Sequence, residues 1–380
     1  MKRKVLFLIE SLSGGGAEKV LSTIAQLLDK DRFEVTVCPI VDCGVHAQAV
    51  KAHADHYLPL LPNPEKLSSL KKLKYQLLYH LIYKLLPLSW VYRIWIPKNH
   101  NVEVAFVEGF VTKLLAHSSN KHSQKIAWVH IDLEQFHWTK ALFSSVKKER
   151  ETYQSYDKVV CVSETVRLGY ERKFNHLKNS HLCYNPLNID EIISKSQDKS
   201  SLPPKTEGKL RLITAGRLVP QKGFSRLINA IDKICKKGID VELFIFGEGE
   251  LRKDLETQIE THNLSEKVHL QGFNTNHLKD LRTADLFVCS SIAEGYSLVI
   301  AEALVLGIPV VSTYCSGPNE LLQEGKSGLL CENSEAGLTD AIFRLSSTPE
   351  LLAYYKELSN KRGNDLRSNS AIKKIEDILQ

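Results

Sequence analysis

Short apolar runs recur along this chain at residues 5–9, 35–39, 102–107, 126–129, 159–162, 210–215, 241–246, 286–289 and 309–312, with stretches of helical spacing between them. Strands that alternate with helices in this way build parallel sheets covered by helices, which predicts an α/β fold. The first helical stretch shows the period. Val20, Leu21, Ile24, Leu27 and Leu28 fall on one face, Glu18, Lys19 and Gln26 fall elsewhere, and Gly14-Gly15-Gly16 marks its start.

At 380 residues the chain is too long for one ordinary core and suits two domains of roughly 150 to 200 residues each. The composition turns polar from Ser194 and closes on Pro203-Pro204, which suits a linker or exposed loop. The expected division is therefore a first domain over 1–195, a linker over 196–208 and a second domain over 209–365. Residues 366–380 are expected to form a terminal helix that packs back on the first domain. Both domains read as doubly wound, Rossmann-like sheets. Ligands of such sheets sit at the carboxyl ends of the strands, so two facing domains would hold a substrate in the cleft between them.

With 43% hydrophobic and 25% charged residues the chain is globular in composition, and no stretch approaches the ~20 apolar residues of a membrane span. The basic start and apolar run 5–9 end too soon, at Glu10, for a signal peptide, and a buried first strand is the expected reading. The eight cysteines are scattered without paired metal spacing and are expected to be reduced thiols in a cytoplasmic protein.

The net charge of +6 is modest, but its distribution is uneven. Lys66, Lys71, Lys72, Lys74, Lys84, Arg93 and Lys98 occur without an intervening acid, interleaved with Leu77, Leu78, Leu81, Ile82, Leu85, Trp90, Tyr92 and Trp95. Two readings stay open at this point. The segment lies peripherally on an anionic membrane, or its apolar residues pack on the core beneath a solvated lysine face. The amphipathic pattern and the lack of a recognition module argue against nucleic acid.

The most informative stretch runs from Glu294-Gly295-Tyr296-Ser297-Leu298 to Glu302. It reads as a loop that enters a helix ending at Gly307, with one glutamate before the helix and one a turn inside it. A helix N-terminus favours a diphosphate, and carboxylates on either side can accept hydrogen bonds from sugar hydroxyls. Either glutamate alone would read as a capping or solvent-exposed acid. The spacing resembles the signature of glycosyltransferase family 4, whose members adopt the GT-B fold of two Rossmann-like domains. The resemblance implies that Glu294 binds donor-sugar hydroxyls and Glu302 the nucleotide ribose, with Tyr296, Ser297 and Leu298 also at the donor. It makes the first domain the acceptor-binding one and the second the nucleotide-sugar-binding one.

Gly216-Arg217-Leu218-Val219-Pro220-Gln221-Lys222-Gly223 follows the run 210–215, where two cations can reach one anion and stabilise a departing nucleoside diphosphate. It resembles the family's diphosphate-binding arginine and lysine, which implies that role for Arg217 and Lys222. Gly247-Glu248-Gly249 permits close backbone approach to a ligand. The family assigns this turn and the segment containing Phe273 to the nucleobase pocket. Ser316-Gly317-Pro318-Asn319-Glu320 also resembles the family's segment near the donor site, with a plain turn and helix start as the alternative.

In the first domain, Gly15 and Gly16 resemble the family's glycine-rich loop at the donor phosphates and acceptor. His130 ends a strand, where it is expected to hydrogen-bond the donor sugar or acceptor; a satisfied strand-end histidine is the alternative. Asp132 is a neighbouring candidate, and Ser163-Glu164 and Asn185-Pro186 resemble segments that recur in such enzymes, which implies that they shape the interdomain edge rather than react.

Family 4 members retain anomeric configuration by front-face attack, with no enzymic nucleophile. No Asp-x-Asp pair stands at a strand end, so no metal site and no cofactor are expected. The expected activity is hexosyl or N-acetylhexosaminyl transfer from a UDP-sugar to a lipid-linked, lipopolysaccharide or capsule glycan, in the cytoplasm or at the inner face of its membrane. A GT-B nucleotide-sugar epimerase and a non-catalytic nucleotide-sugar-binding protein are the rival readings.

Overall fold

The computed structural model describes residues 1–368 and 371–380. It separates into two compact units, Met1–Leu187 with Ser370–Gln380, and Asn188–Asn369. The first unit is built on a seven-stranded sheet of β1 (Arg3–Ile9), β2 (Phe33–Pro39), β3 (His56–Tyr57), β4 (Val102–Ala105), β5 (Gln124–Val129), β6 (Lys158–Cys161) and β7 (Ser180–Leu182). Its strand order is β3-β2-β1-β4-β5-β6-β7, and every pairing is parallel. β1 is buried from Val5 onward, which is why its sequence is a continuous apolar run rather than an alternating one.

The second unit repeats the plan with β8 (Leu210–Ala215), β9 (Val241–Phe246), β10 (Val268–Gly272), β11 (Leu286–Cys289), β12 (Val310–Thr313) and β13 (Leu329–Cys331). The order is β10-β9-β8-β11-β12-β13, again parallel throughout. Both sheets are therefore Rossmann-like, and in each the winding direction reverses beside the first strand, between β1 and β4 and between β8 and β11. Loops after those strands diverge and leave a crevice at the carboxyl edge. Residues 106–109 and 130–132 of the first unit, and 216–223 and 290–297 of the second, emerge at these edges.

The polar stretch 196–208 is fastened to the second unit. Asp280 accepts hydrogen bonds from Ser200 Oγ at 2.8 Å, Ser201 N at 2.7 Å and Ser201 Oγ at 2.8 Å, while Arg211 Nη2 donates to the Pro203 carbonyl at 2.9 Å. The division between units falls before this stretch, at Leu187 and Asn188. Helix Ala371–Leu379 joins the first unit, where Glu376 pairs with Arg32 at 2.6 Å and Lys158 Nζ donates to the Ile378 carbonyl at 2.8 Å.

All eight cysteines are free, five of them buried and three half-buried. Among the described residues no helix is long and apolar enough to cross a membrane. Residues 66–98 form helix Ser69–His80, a π-helical turn Leu81–Leu85 and helix Leu88–Trp95. Ile82, Val91 and Tyr92 enter the core, while Leu77, Leu85 and Trp90 stay exposed.

Candidate functional site

The second unit gathers most of the expected donor residues at its switch point. Lys222 lies in the loop after β8 and Glu294 in the loop after β11, and the two form a direct ion pair. Backbone and side-chain bonds stitch the loops together. Ile292 N donates to Gln221 O at 2.7 Å, Gln221 Nε2 to Ala293 O at 2.7 Å, and Ser290 Oγ to Lys222 O at 2.8 Å. Burial disfavours the Lys222 ammonium, but the charge and hydrogen bond of Glu294 outweigh it and raise its pKa. Ser291 Oγ also donates to Glu294 Oε1 at 2.8 Å. The carboxylate is 9% exposed, so its surroundings hold it rather than solvent.

Helix Leu298–Val305 starts four residues after Glu294, with Ser297 at its N-cap in extended conformation and no side-chain cap bond. The first backbone N–H groups of such a helix have no intrahelical acceptor and carry partial positive charge, the arrangement that accepts a phosphate. Burial pushes up the Tyr296 phenol at the same entry. Glu302, one turn in, is 1% exposed, and its Oε2 is 2.9 Å from His277 Nε2. The ring reaches it from just before helix Leu278–Leu281, a partnership that only the fold creates.

Gly247 adopts φ +145°, and a Cβ there would sit 1.9 Å from the Gly216 carbonyl oxygen, so only glycine lets the β8 and β9 loops touch. Gly247 N donates to Gly272 O at 2.8 Å, which brings Phe273 to this corner with its ring exposed. Gly317 N donates to the Glu294 carbonyl at 3.2 Å, tying the segment from Ser316 to the same loop. Arg217 is exposed beside the cluster, and its charge lowers the pKa of Lys222 slightly against the dominant effects of burial and Glu294.

The first unit brings its candidates to its own switch point. His130 directly follows β5, with Nε2 at 2.8 Å from the Phe106 carbonyl. A carbonyl only accepts, so the neutral ring carries its hydrogen on Nε2 and offers the Nδ1 lone pair. Burial pushes the imidazole down to about 4, which keeps it neutral near pH 7. Glu108, in the loop after β4, accepts from His130 N at 2.5 Å and Ile131 N at 3.0 Å. Burial raises its carboxyl to about 7 against the lowering effect of those amide bonds.

Gly15 caps helix Gly16–Leu27, and a Cβ on it would meet Glu18 Oε2 at 2.2 Å, whereas one on Gly16 would meet nothing within 4 Å. The glycine-rich turn is thus partly covered by the acid of its own helix. Burial and the charge of Glu18 raise the pKa of Glu10 beside it. Asp132 caps the next turn through Glu134 N at 3.0 Å.

Sequence reasoning missed Glu108, His277 and Ser291, and gave Gln221 no role of its own within the segment 216–223. Glu108 alone had a local signal, an acid between the apolar run 102–107 and Gly109. Among the described residues no group of three or more His, Cys, Asp or Glu is placed to hold a metal ion.

Two parallel-sheet Rossmann-like domains, with an ammonium–carboxylate pair beside an open helix start in the second, invite comparison with nucleotide-sugar enzymes. Residues 195–362 match the family model for Glycosyl transferases group 1. The matched residues include Arg217, Lys222, Gly247, Glu294 and Glu302. Among curated relatives, the poly(ribitol-phosphate) alpha-N-acetylglucosaminyltransferase of Staphylococcus aureus is 28% identical over 241 residues, 63% of this chain and 47% of that protein. The N-acetylgalactosamine-N,N'-diacetylbacillosaminyl-diphospho-undecaprenol 4-alpha-N-acetylgalactosaminyltransferase of Campylobacter jejuni is 30% identical over 187 residues, 49% of each chain. The chain thus spans about half the length of these relatives. Anabaena Alr3699/HepE, solved in complex with UDP and glucose, shares the fold over 99% of both chains with a TM-score of 0.76 at 19% identity. The architecture is that of the GT-B fold.

Proposed function

We propose that this protein is a retaining glycosyltransferase that moves a hexose or N-acetylhexosamine from a UDP-sugar to a glycan acceptor without a metal ion. The observation that carries the reading is the pair of half-buried Lys222 and buried Glu294 beside the uncapped start of helix Leu298–Val305, at the switch point of the second sheet. An anion placed there meets a fixed ammonium and free backbone N–H groups, and the neighbouring carboxylate can take sugar hydroxyls. The group 1 match and the relatives' names support a sugar nucleotide as that anion.

In this mechanism the C1–O bond to the diphosphate breaks with its electron pair going to the phosphate. The acceptor oxygen bonds C1 from the same face, and its proton passes to the departing phosphate oxygen. Lys222, Arg217 and the helix N–H groups hold the developing negative charge in advance of the reaction, so no reorganisation is needed as it forms. Glu294 and Ser291 orient the ammonium, and Glu302, steadied by His277, receives the ribose. Neutral His130 accepts a hydrogen bond from a sugar hydroxyl at Nδ1. The acceptor in this reading is a lipid-linked, lipopolysaccharide or capsule glycan at the inner face of a cytoplasmic membrane.

The test is release of nucleoside diphosphate from a panel of UDP-, GDP- and ADP-sugars in EDTA, with Glu294→Ala and Lys222→Ala alongside. Release from one donor by the wild type, lost in both variants, is the expected result. Turnover that EDTA abolishes and manganese restores would overturn metal independence. Silence with every donor, even with crude lipid-linked acceptor added, would overturn the transferase reading.

A further inference from the structure

Helix Ser69–His80 has no buried residue, and three of its four leucines, Leu70, Leu73 and Leu77, are exposed. Tyr75 and Leu78 turn inward and are half-buried. The helix is held by a stack of rings, Tyr75 on Tyr79 at 6.0 Å, Tyr79 on Tyr83 at 4.4 Å and Tyr83 on Phe110 at 4.1 Å. Leu70, Leu73 and Leu77, spaced by three and four residues, share the opposite side. With Leu85, Trp90 and Ile94 of the following turn and helix, they are each at least 59% exposed. Isolated exposed apolar residues are ordinary on protein surfaces, whereas this many within 25 residues of chain need a partner.

We propose that this face docks on the surface of an anionic lipid leaflet, with Leu70, Leu73, Leu77, Leu85, Trp90 and Ile94 entering the boundary between headgroups and acyl chains. The charge around them selects the partner. Residues 66–98 hold seven basic side chains and no acid, so they complement an anionic bilayer, whereas a second copy would set like charge against like. Leucines flanked by lysines, with a tryptophan at the margin, are the composition of a helix lying in the interface plane. Ile82, Val91 and Tyr92 are buried within the same segment, so the core keeps it folded before any lipid is met. The docking does not depend on the donor chemistry of the second domain.

The experiment is co-sedimentation of the full chain with phosphatidylcholine vesicles, with and without phosphatidylglycerol, at about 0.15 M salt. Binding is expected only with the anionic lipid. Reversing Lys71, Lys72 and Lys74 to Glu should weaken it at least about tenfold. A Leu73→Gln/Leu77→Gln/Trp90→Gln variant, altered only at exposed positions, should lose about tenfold or more. Wild type left in the supernatant with both vesicle types overturns the proposal. So does unchanged binding by the leucine and tryptophan variant. A dimer in sedimentation velocity that this variant dissolves would assign the face to a second copy and equally overturn it.

Discussion

Replacing Glu108 by glutamine removes one ionisable proton while keeping an oxygen able to accept from the His130 and Ile131 amides, now at 2.5 and 3.0 Å. Burial raises this carboxyl from 4.5 to about 7, so ionising it in the folded chain is harder than in the unfolded chain by about 3 kcal/mol. The folded state therefore binds more protons than the unfolded state between those two values. Its contribution to stability is fully present below 4.5 and is lost as pH rises through 7. The glutamine variant has no such dependence. Relative to it, the wild type should lose roughly 2–3 kcal/mol between about pH 5 and pH 8. The titration of His130 is common to both proteins and cancels in the difference. All four tryptophans, Trp90, Trp95, Trp128 and Trp138, lie in the first unit, so urea unfolding followed by tryptophan fluorescence reports on that unit alone. Parallel pH dependences for the two proteins would refute the reasoning by showing that Glu108 is an ordinary ionised carboxylate.

Lys222→Met leaves Glu294 buried with only Ser291 beside it, and should destabilise the second domain by roughly 2–3 kcal/mol. Adding Glu294→Gln should recover part of that loss. Hydrogen exchange of the β8 and β11 amides reads both, and strictly additive effects would remove the pair as a structural unit. Because the His130 imidazole is pushed down to about 4, transferase kcat/KM should show no limb near pH 6.5 that His130→Gln abolishes; such a limb would mean that the ring titrates in the open. Gly247→Ala forces a Cβ against the Gly216 carbonyl at positive φ and should cost more than about 2 kcal/mol, read as faster amide exchange in β8 and β9. Unchanged exchange would show that the turn can relax.

Legibility in the sequence followed burial. The nine apolar runs correspond to the nine interior strands β1, β2, β4, β5, β6, β8, β9, β11 and β12. The four strands that left no run, β3, β7, β10 and β13, are the two edges of each sheet. An interior strand of a parallel sheet has both faces covered and must be apolar throughout. An edge strand such as Ser180–Leu182 is largely half-buried or exposed and carries polar residues without penalty. The same logic sorts the site. Glu294, Lys222 and Gly247 stand out because loop chemistry at a strand end needs particular residue types. His277 beside Glu302 has no sequence signal, since 25 residues of chain separate the partners.

The alternation of runs determined the fold class, and the spacing of glycines and charges after β8, β9 and β11 pointed to the ligand chemistry. Tertiary structure alone decided which charge meets which. It paired Lys222 with Glu294, set Glu108 against the His130 amide, laid Glu18 over Gly15, and turned Leu73 and Leu77 outward while taking Ile82 in. Periodicity along a chain reports the face a residue shares with its sequence neighbours. The partner across a crevice is set by how strands are ordered in the sheet, and the side of a helix that meets the body is set by what that body already presents.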